Sequence, residues 1–126
     1  MSTTEVARPR GEARITLSWP PSVNNLYISA GRKRVRSPGY RKWQEEAGWL
    51  LKAAKPQKFD GPVEIVLDLC PPDRRRFDAD NKNKAILDLL VSHGVIAGDD
   101  SRYVRSVTAR VVESAVHSCV VTIRGA

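Results

Sequence analysis

Apolar positions change period several times along the chain, and each change marks an element. In Ile15-Thr16-Leu17-Ser18-Trp19 they alternate, which predicts a half-buried strand that begins near Arg14 and is stopped by Pro20-Pro21. From Ser22 to Ser37 no period survives, and the segment reads as a long surface loop. Ser37-Pro38 then supplies an N-cap and a proline at the first helical position. Tyr40, Trp43, Ala47, Leu50, Leu51 and Ala54 follow at helical spacing, so a helix is predicted over 38–54, closed by Lys55-Pro56. After the Gly61-Pro62 turn, Val63, Ile65, Leu67 and Leu69 alternate with Glu64, Val66 and Asp68 as a second strand, which Pro71-Pro72 stops. A second helix is predicted from Asp80 to Ser92, with Gly94 just past its end. Two strands near 103–112 and 118–124, joined through Glu113 to His117, complete the pattern.

The order strand, helix, strand, helix, strand, strand predicts an α+β fold. It would be a single domain, with a mixed four-stranded β-sheet packed with two main helices over 14–126 and a flexible N-terminal tail over 1–13. A length of 126 residues suits one core. No apolar run approaches the roughly 20 residues of a membrane span. The N-terminus has no apolar core of a secretory signal, so the expected location is cytoplasmic, with no membrane partner. Cys70 and Cys119 sit in apolar strand-like runs and read as reduced core thiols; with His93 and His117 they show no paired spacing for zinc.

Charge narrows the picture. Lys and Arg number 21 against 14 Asp and Glu, a net +7, which favours a polyanionic partner. Arg32, Lys33, Arg34, Arg36, Arg41 and Lys42 crowd one stretch, and Arg74-Arg75-Arg76 form a second cluster. Asp73, Asp78, Asp80, Asp88, Asp99 and Asp100 lie in a single later stretch. A surface that only grips phosphate loses affinity with each carboxylate it carries, because the carboxylate opposes counterion release. Acids set beside the bases therefore need a purpose of their own.

Asp78 and Asp80 form a D-x-D pair at a helix start, and Asp99-Asp100 follow the helix. Asp80, Asn81, Lys84 and Asp88 fall on one helical stripe, while Ala85, Ile86 and Leu89 fall on the other side. Clustered carboxylates suit a hard cation such as Mg²⁺, which takes one or two of them and fills its shell with water and substrate phosphate. Lys84 is placed to touch a non-bridging phosphate oxygen or to orient the attacking water, with the arginines holding the strand on either side. Plainer roles remain open for each residue. Asp80 suits an N-cap, Asp80 with Lys84 an i, i+4 ion pair, Asp99-Asp100 a turn, and the arginines a solvated loop. His93 suits a helix C-terminus, and the three tryptophans suit core or interface. Residue pattern alone leaves a metal nuclease and a non-catalytic DNA-binding module both standing.

The runs DRRRFDADNKNKAILDLL and GVIAGDD, with WPPSVNNLY after the first strand, resemble the RusA family of Holliday-junction resolvases from about Ile15 to the last strand. That resemblance implies a crossover junction endodeoxyribonuclease that works as a homodimer on four-way junction DNA. With Mg²⁺ it would nick two opposing strands symmetrically in recombination and repair, in a bacterium or for a phage within one. It also implies catalytic Asp78, Asp80, Lys84 and Asp100, with Asp78, Asp80 and Asp100 as metal ligands. GVIAGDD holds one residue more before its acidic pair than the family pattern, which makes Asp99 the alternate to Asp100. DNA contacts are expected from Arg32, Lys33, Arg34, Arg36, Arg74, Arg75, Arg76 and Asn81. A general Mg²⁺ nuclease for flaps or duplex ends is the rival enzyme reading.

Overall fold

The computed structural model describes residues 11–74 and 76–126, so Arg75 and most of the expected tail lie outside the described residues. Along the chain the elements are β1 (Glu12–Leu17), a 3₁₀ turn (Val23–Asn25), β2 (Tyr27–Ala30), β3 (Lys33–Arg36) and α1 (Pro38–Ala54). There follow β4 (Val63–Cys70), a second 3₁₀ turn (Ala79–Lys82), α2 (Asn83–Ser92), β5 (Val104–Val111) and β6 (Ser118–Gly125). The main sheet has the order β1-β6-β4-β5, antiparallel except for the parallel pair β4 and β5. A parallel pair needs a crossover, and α2 provides it. This is the mixed four-stranded α+β architecture that the order of elements predicts.

Register explains the core. Ile15 lies opposite Val121, Val121 opposite Leu67, and Leu67 opposite Ala109, so one face of the sheet is apolar across all four strands. The same core cluster takes in Tyr40, Trp43, Ala47 and Leu51 of α1 with Ala85, Ile86, Leu89 and Leu90 of α2. Residues of the opposite register carry charge instead: Arg124 pairs with Glu12 across β6 and β1, and Arg110 with Asp68 across β5 and β4. Cys70 and Cys119 are buried free thiols, as expected, and burial pushes the Cys119 thiol up to about 12.

Helix ends follow their local chemistry. The Ser37 hydroxyl accepts from the Tyr40 amide at 3.1 Å and donates to the Asn25 carbonyl at 2.7 Å, tying the start of α1 to the first 3₁₀ turn. At the end of α2, Gly94 has φ of 72°, and the Val95 amide reaches back to the Leu90 carbonyl at 2.9 Å. That is a Schellman closure, which a residue with a side chain would strain.

Three expectations need correction. β1 begins and ends two residues earlier than predicted, so Glu12 and Ala13 belong to the strand; past its end, the Ser18 carbonyl accepts from the Trp43 indole at 2.9 Å. The loop expected over Ser22 to Ser37 contains a 3₁₀ turn and the hairpin β2–β3. Every residue of both hairpin strands is exposed, so neither face imposes the apolar alternation by which strands are recognised. The second helix opens as 3₁₀ from Ala79 and turns α only at Asn83, with Asp78 before it and no side-chain cap bond, so Asp80 is not an N-cap.

Candidate active site

Beyond β4 the chain turns through Pro71-Pro72 and returns along Phe77 to Asp78, which is extended, with φ of −89° and ψ of 124°. Asp80 then falls in the first turn of the 3₁₀ segment, and both carboxylates are exposed. The Asn81 amide donates to Asp78 at 3.5 Å, a long contact. Among the described residues neither aspartate has a cationic partner. Asp100 differs: the Arg102 backbone amide at 2.9 Å, its Nε at 3.1 Å and its Nη2 at 2.9 Å all donate to it. The Arg102 guanidinium and backbone amide hold the Asp100 carboxyl down at about 2, so Asp100 is ionised throughout the working range.

Lys84 lies 3.2 Å from Asp88, one helical turn onward, in place of the expected partner Asp80. The Tyr40 hydroxyl donates to the other Asp88 oxygen at 3.5 Å. The hydrogen bond to Asp88 raises the Lys84 pKa, and the charge on Asp99 adds to the effect. Of the acidic pair, Asp99 thus acts on Lys84 while Asp100 is engaged by Arg102. Burial, with Asp88 second, pushes Tyr40 up to about 12.

The same contacts bring the basic hairpin to this end of the fold. Tyr27 of β2 stacks edge-on to Tyr40 at 6.0 Å, and the Arg34 guanidinium lies 5.4 Å over the Tyr27 ring. Arg36 donates to Gln44 of α1 at 2.9 Å. A continuous path therefore runs from Arg34 through Tyr27, Tyr40 and Asp88 to Lys84. Arg32, Lys33, Arg74 and Arg76 are exposed. Arg75 lies outside the described residues.

Among the described residues no three His, Cys, Asp or Glu side chains stand close enough to hold one metal ion. The donor chemistry still suits a hard divalent ion. Mg²⁺ needs only one or two protein carboxylates, and Asp78 and Asp80 offer exposed oxygens that no cation among the described residues neutralises. Arg102 leaves lone pairs on Asp100, because a carboxylate has about four acceptor positions.

Sequence reasoning missed Lys82. Its side chain is buried, 7% exposed, with the ammonium 5.0 Å from the Trp19 ring centre and 5.8 Å from that of Phe77. Those rings meet edge to face at 5.2 Å. One signal was present in the chain: both aromatics border a turn, Trp19 before Pro20-Pro21 and Phe77 before D-x-D.

A small α+β domain with an acidic pair at a helix start, amid basic elements and next to a lysine, belongs to a class suited to phosphodiester chemistry on nucleic acid. More narrowly, residues 18–124 match the model of the family described as endodeoxyribonuclease RusA, and the chain belongs to that family. It is 38% identical over 81 residues to the crossover junction endodeoxyribonuclease RusA of Escherichia coli (strain K12), spanning 64% of this chain and 68% of that protein. Against the protein of that name from Enterobacteria phage 82 it is 35% identical over 82 residues, with the same coverage. Against that of Escherichia coli O139:H28 it is 36% identical over 87 residues, covering 68% of this chain and 72% of the relative.

Proposed function

We propose that this protein is a Mg²⁺-dependent, structure-selective endodeoxyribonuclease that resolves four-way DNA junctions by paired, symmetric nicks. One observation carries the reading: in a chain of net charge +7, Asp78 and Asp80 have no cationic partner among the described residues, at the end of the fold where the basic hairpin and Lys84 gather. A protein that only bound DNA would gain by neutralising or removing those carboxylates.

In this reading Asp78 and Asp80 hold the ion, and Asp100, with Asp99 the alternate, would close on it as ion and strand bind, since among the described residues no three carboxylates meet. When bound, the ion supplies Lewis acidity at the scissile phosphate. Lys84 keeps its charge and donates to a non-bridging oxygen, turning from Asp88 as the strand arrives. Asn81, Arg32, Lys33, Arg34, Arg36 and Arg74 to Arg76 hold the backbone and orient it. Relatives from bacteria and a phage support action on DNA in the bacterial cytoplasm. Among the described residues no helix is long and apolar enough to cross a membrane.

The test is incubation with an immobile four-way junction, a flap and a linear duplex, with Mg²⁺ or with EDTA. Paired nicks confined to the junction and dependent on Mg²⁺ are expected. Equal cutting of flap or duplex selects the general nuclease, and no cutting of any substrate selects the binding module.

A further inference from the structure

Beside the carboxylates the fold encloses a groove of about 730 Å³, a size typical of small-ligand sites. Its lining includes the rings of Trp19, Phe77, Tyr27 and Tyr40. Asn24 and Arg76 stand on its lining, and Asp73 contributes a carboxylate. Lys82 is the buried cation of this groove, and among the described residues its ammonium meets aromatic rings but no carboxylate. Burying an ammonium is costly unless an anion or acceptor completes its shell. A groove that sets a buried ammonium against aromatic rings, with no carboxylate on it among the described residues, suits a ligand with both a planar apolar face and a negative charge.

Position identifies that ligand, given the reading of the neighbouring carboxylates as a DNA-cleaving site. Phe77 directly precedes Asp78, and Lys82 ends the 3₁₀ turn that holds Asp80, so the groove and the carboxylates share one short segment. We propose that the groove seats one unstacked nucleotide of the bound DNA strand, its base against the Trp19 and Phe77 wall and its phosphate on the Lys82 ammonium. A base within a regular duplex has no free face to offer, whereas a strand exchanging at a branch point does. Occupancy would therefore favour branched over linear DNA.

The test uses the full chain in EDTA, so cleavage plays no part. Binding of a single-stranded deoxythymidine tetramer is compared with that of an abasic tetramer carrying the same phosphates, by fluorescence anisotropy across a salt series. The wild-type chain is expected to prefer the base-bearing strand by about fivefold or more, the range of base–aromatic stacking. Lys82→Met, which keeps the apolar stem, should weaken that binding and lower the salt slope by about 0.7. Trp19→Leu should erase the preference for bases and leave the salt slope unchanged. Equal wild-type affinity for the two strands would overturn the proposal without recourse to any variant, as would wild-type binding by Lys82→Met. Base-selective binding by a chain that nicks no junction would keep the groove and discard the resolvase reading; junction nicking by a chain indifferent to bases would do the reverse.

Discussion

The Lys84 ammonium rests 3.2 Å from the Asp88 carboxylate, and the Tyr40 hydroxyl reaches the same carboxylate at 3.5 Å. Lys84 is therefore not a free cation: Asp88 keeps it charged and aims it, and DNA phosphate must compete for it. If its task is transition-state charge, Lys84→Ala slows turnover of pre-bound junction by on the order of 100-fold, the scale of losing one oxyanion donor. Its side chain is about half exposed, so folding stability should change by no more than about 0.5 kcal/mol. Single-turnover kinetics with a parallel melt checks both. An unaltered single-turnover rate would leave Lys84 only its ion pair.

The acids divide by their partners. Asp78→Asn and Asp80→Asn each remove a charge that no cation among the described residues balances, so cleavage should be abolished while junction binding holds or tightens. Asp100→Asn should likewise abolish cleavage, because the Arg102 fork keeps that carboxylate ionised and fixed in direction. Asp99→Asn should be milder, acting through the field it places on Lys84. Rates of the four variants in Mg²⁺, with gel-shift affinities in EDTA, decide it. A reversed order of the last two would move the third ligand to Asp99.

How far the sequence was legible depended on whether a signal was local. Helix α1 was readable to the residue because Ser37, Pro38 and the apolar stripe are all near neighbours. The hairpin β2–β3 was not, because its residues are exposed on both faces and leave no period. The D-x-D pair was visible, but the partners were not: Lys84 chose Asp88 over Asp80 once the first turn wound as 3₁₀. Lys82 looks in sequence like any exposed lysine beside Asn81. Only folding brings Trp19, two residues past the end of β1, to a ring separation of 5.2 Å from Phe77 and sets the two rings beside the Lys82 ammonium.

Basic residues that only hold the strand should act differently from those at the chemistry. Replacing Arg74 and Arg76 with alanine, or Arg32 and Lys33, should weaken junction binding and lower the salt slope by about 0.9 for each phosphate left without its cation. Bound junction should still be cut at close to the wild-type rate. A fall in single-turnover rate at constant occupancy would place these side chains at the reacting phosphate.

Tyr40 predicts an alkaline limit. Its hydroxyl titrates near 10 in an unfolded chain but is pushed to about 12 in the fold, mainly by burial and then by Asp88. The folded state thus holds this proton more tightly. The stability this gives is complete below pH 10 and is lost as pH rises to about 12. Tyr40→Phe removes the titrating group, so its alkaline unfolding midpoint should lie above that of wild type, at a neutral-pH cost of about 1 kcal/mol or less for the long bond to Asp88. Circular dichroism against pH measures both, and coincident alkaline midpoints would show that other groups set the limit.

Junction symmetry requires a second site. Resolving a four-way junction into intact duplexes takes two nicks related by a twofold axis, and one domain with one D-x-D pair supplies a single site. A C2 homodimer supplies two at fixed separation, in the commonest oligomeric symmetry. The apolar last strand cannot serve as the interface: β6 lies between β1 and β4, and its Val121 and Ile123 are core. Two other surfaces have the material. Trp49 on α1 is 67% exposed beside the exposed Leu50, and the edge strand β5 runs into the exposed Val111, Val112 and Val116. Sedimentation at micromolar protein should give about twice the 14.0 kDa chain mass. Trp49→Glu and Val111→Lys, tested separately, should identify the face, since only the variant that buries a charge in the contact becomes monomeric. Mixing wild-type chain with Asp80→Asn chain should then accumulate junctions nicked in one strand only. A monomer that made both nicks in a single binding event would remove the symmetric mechanism.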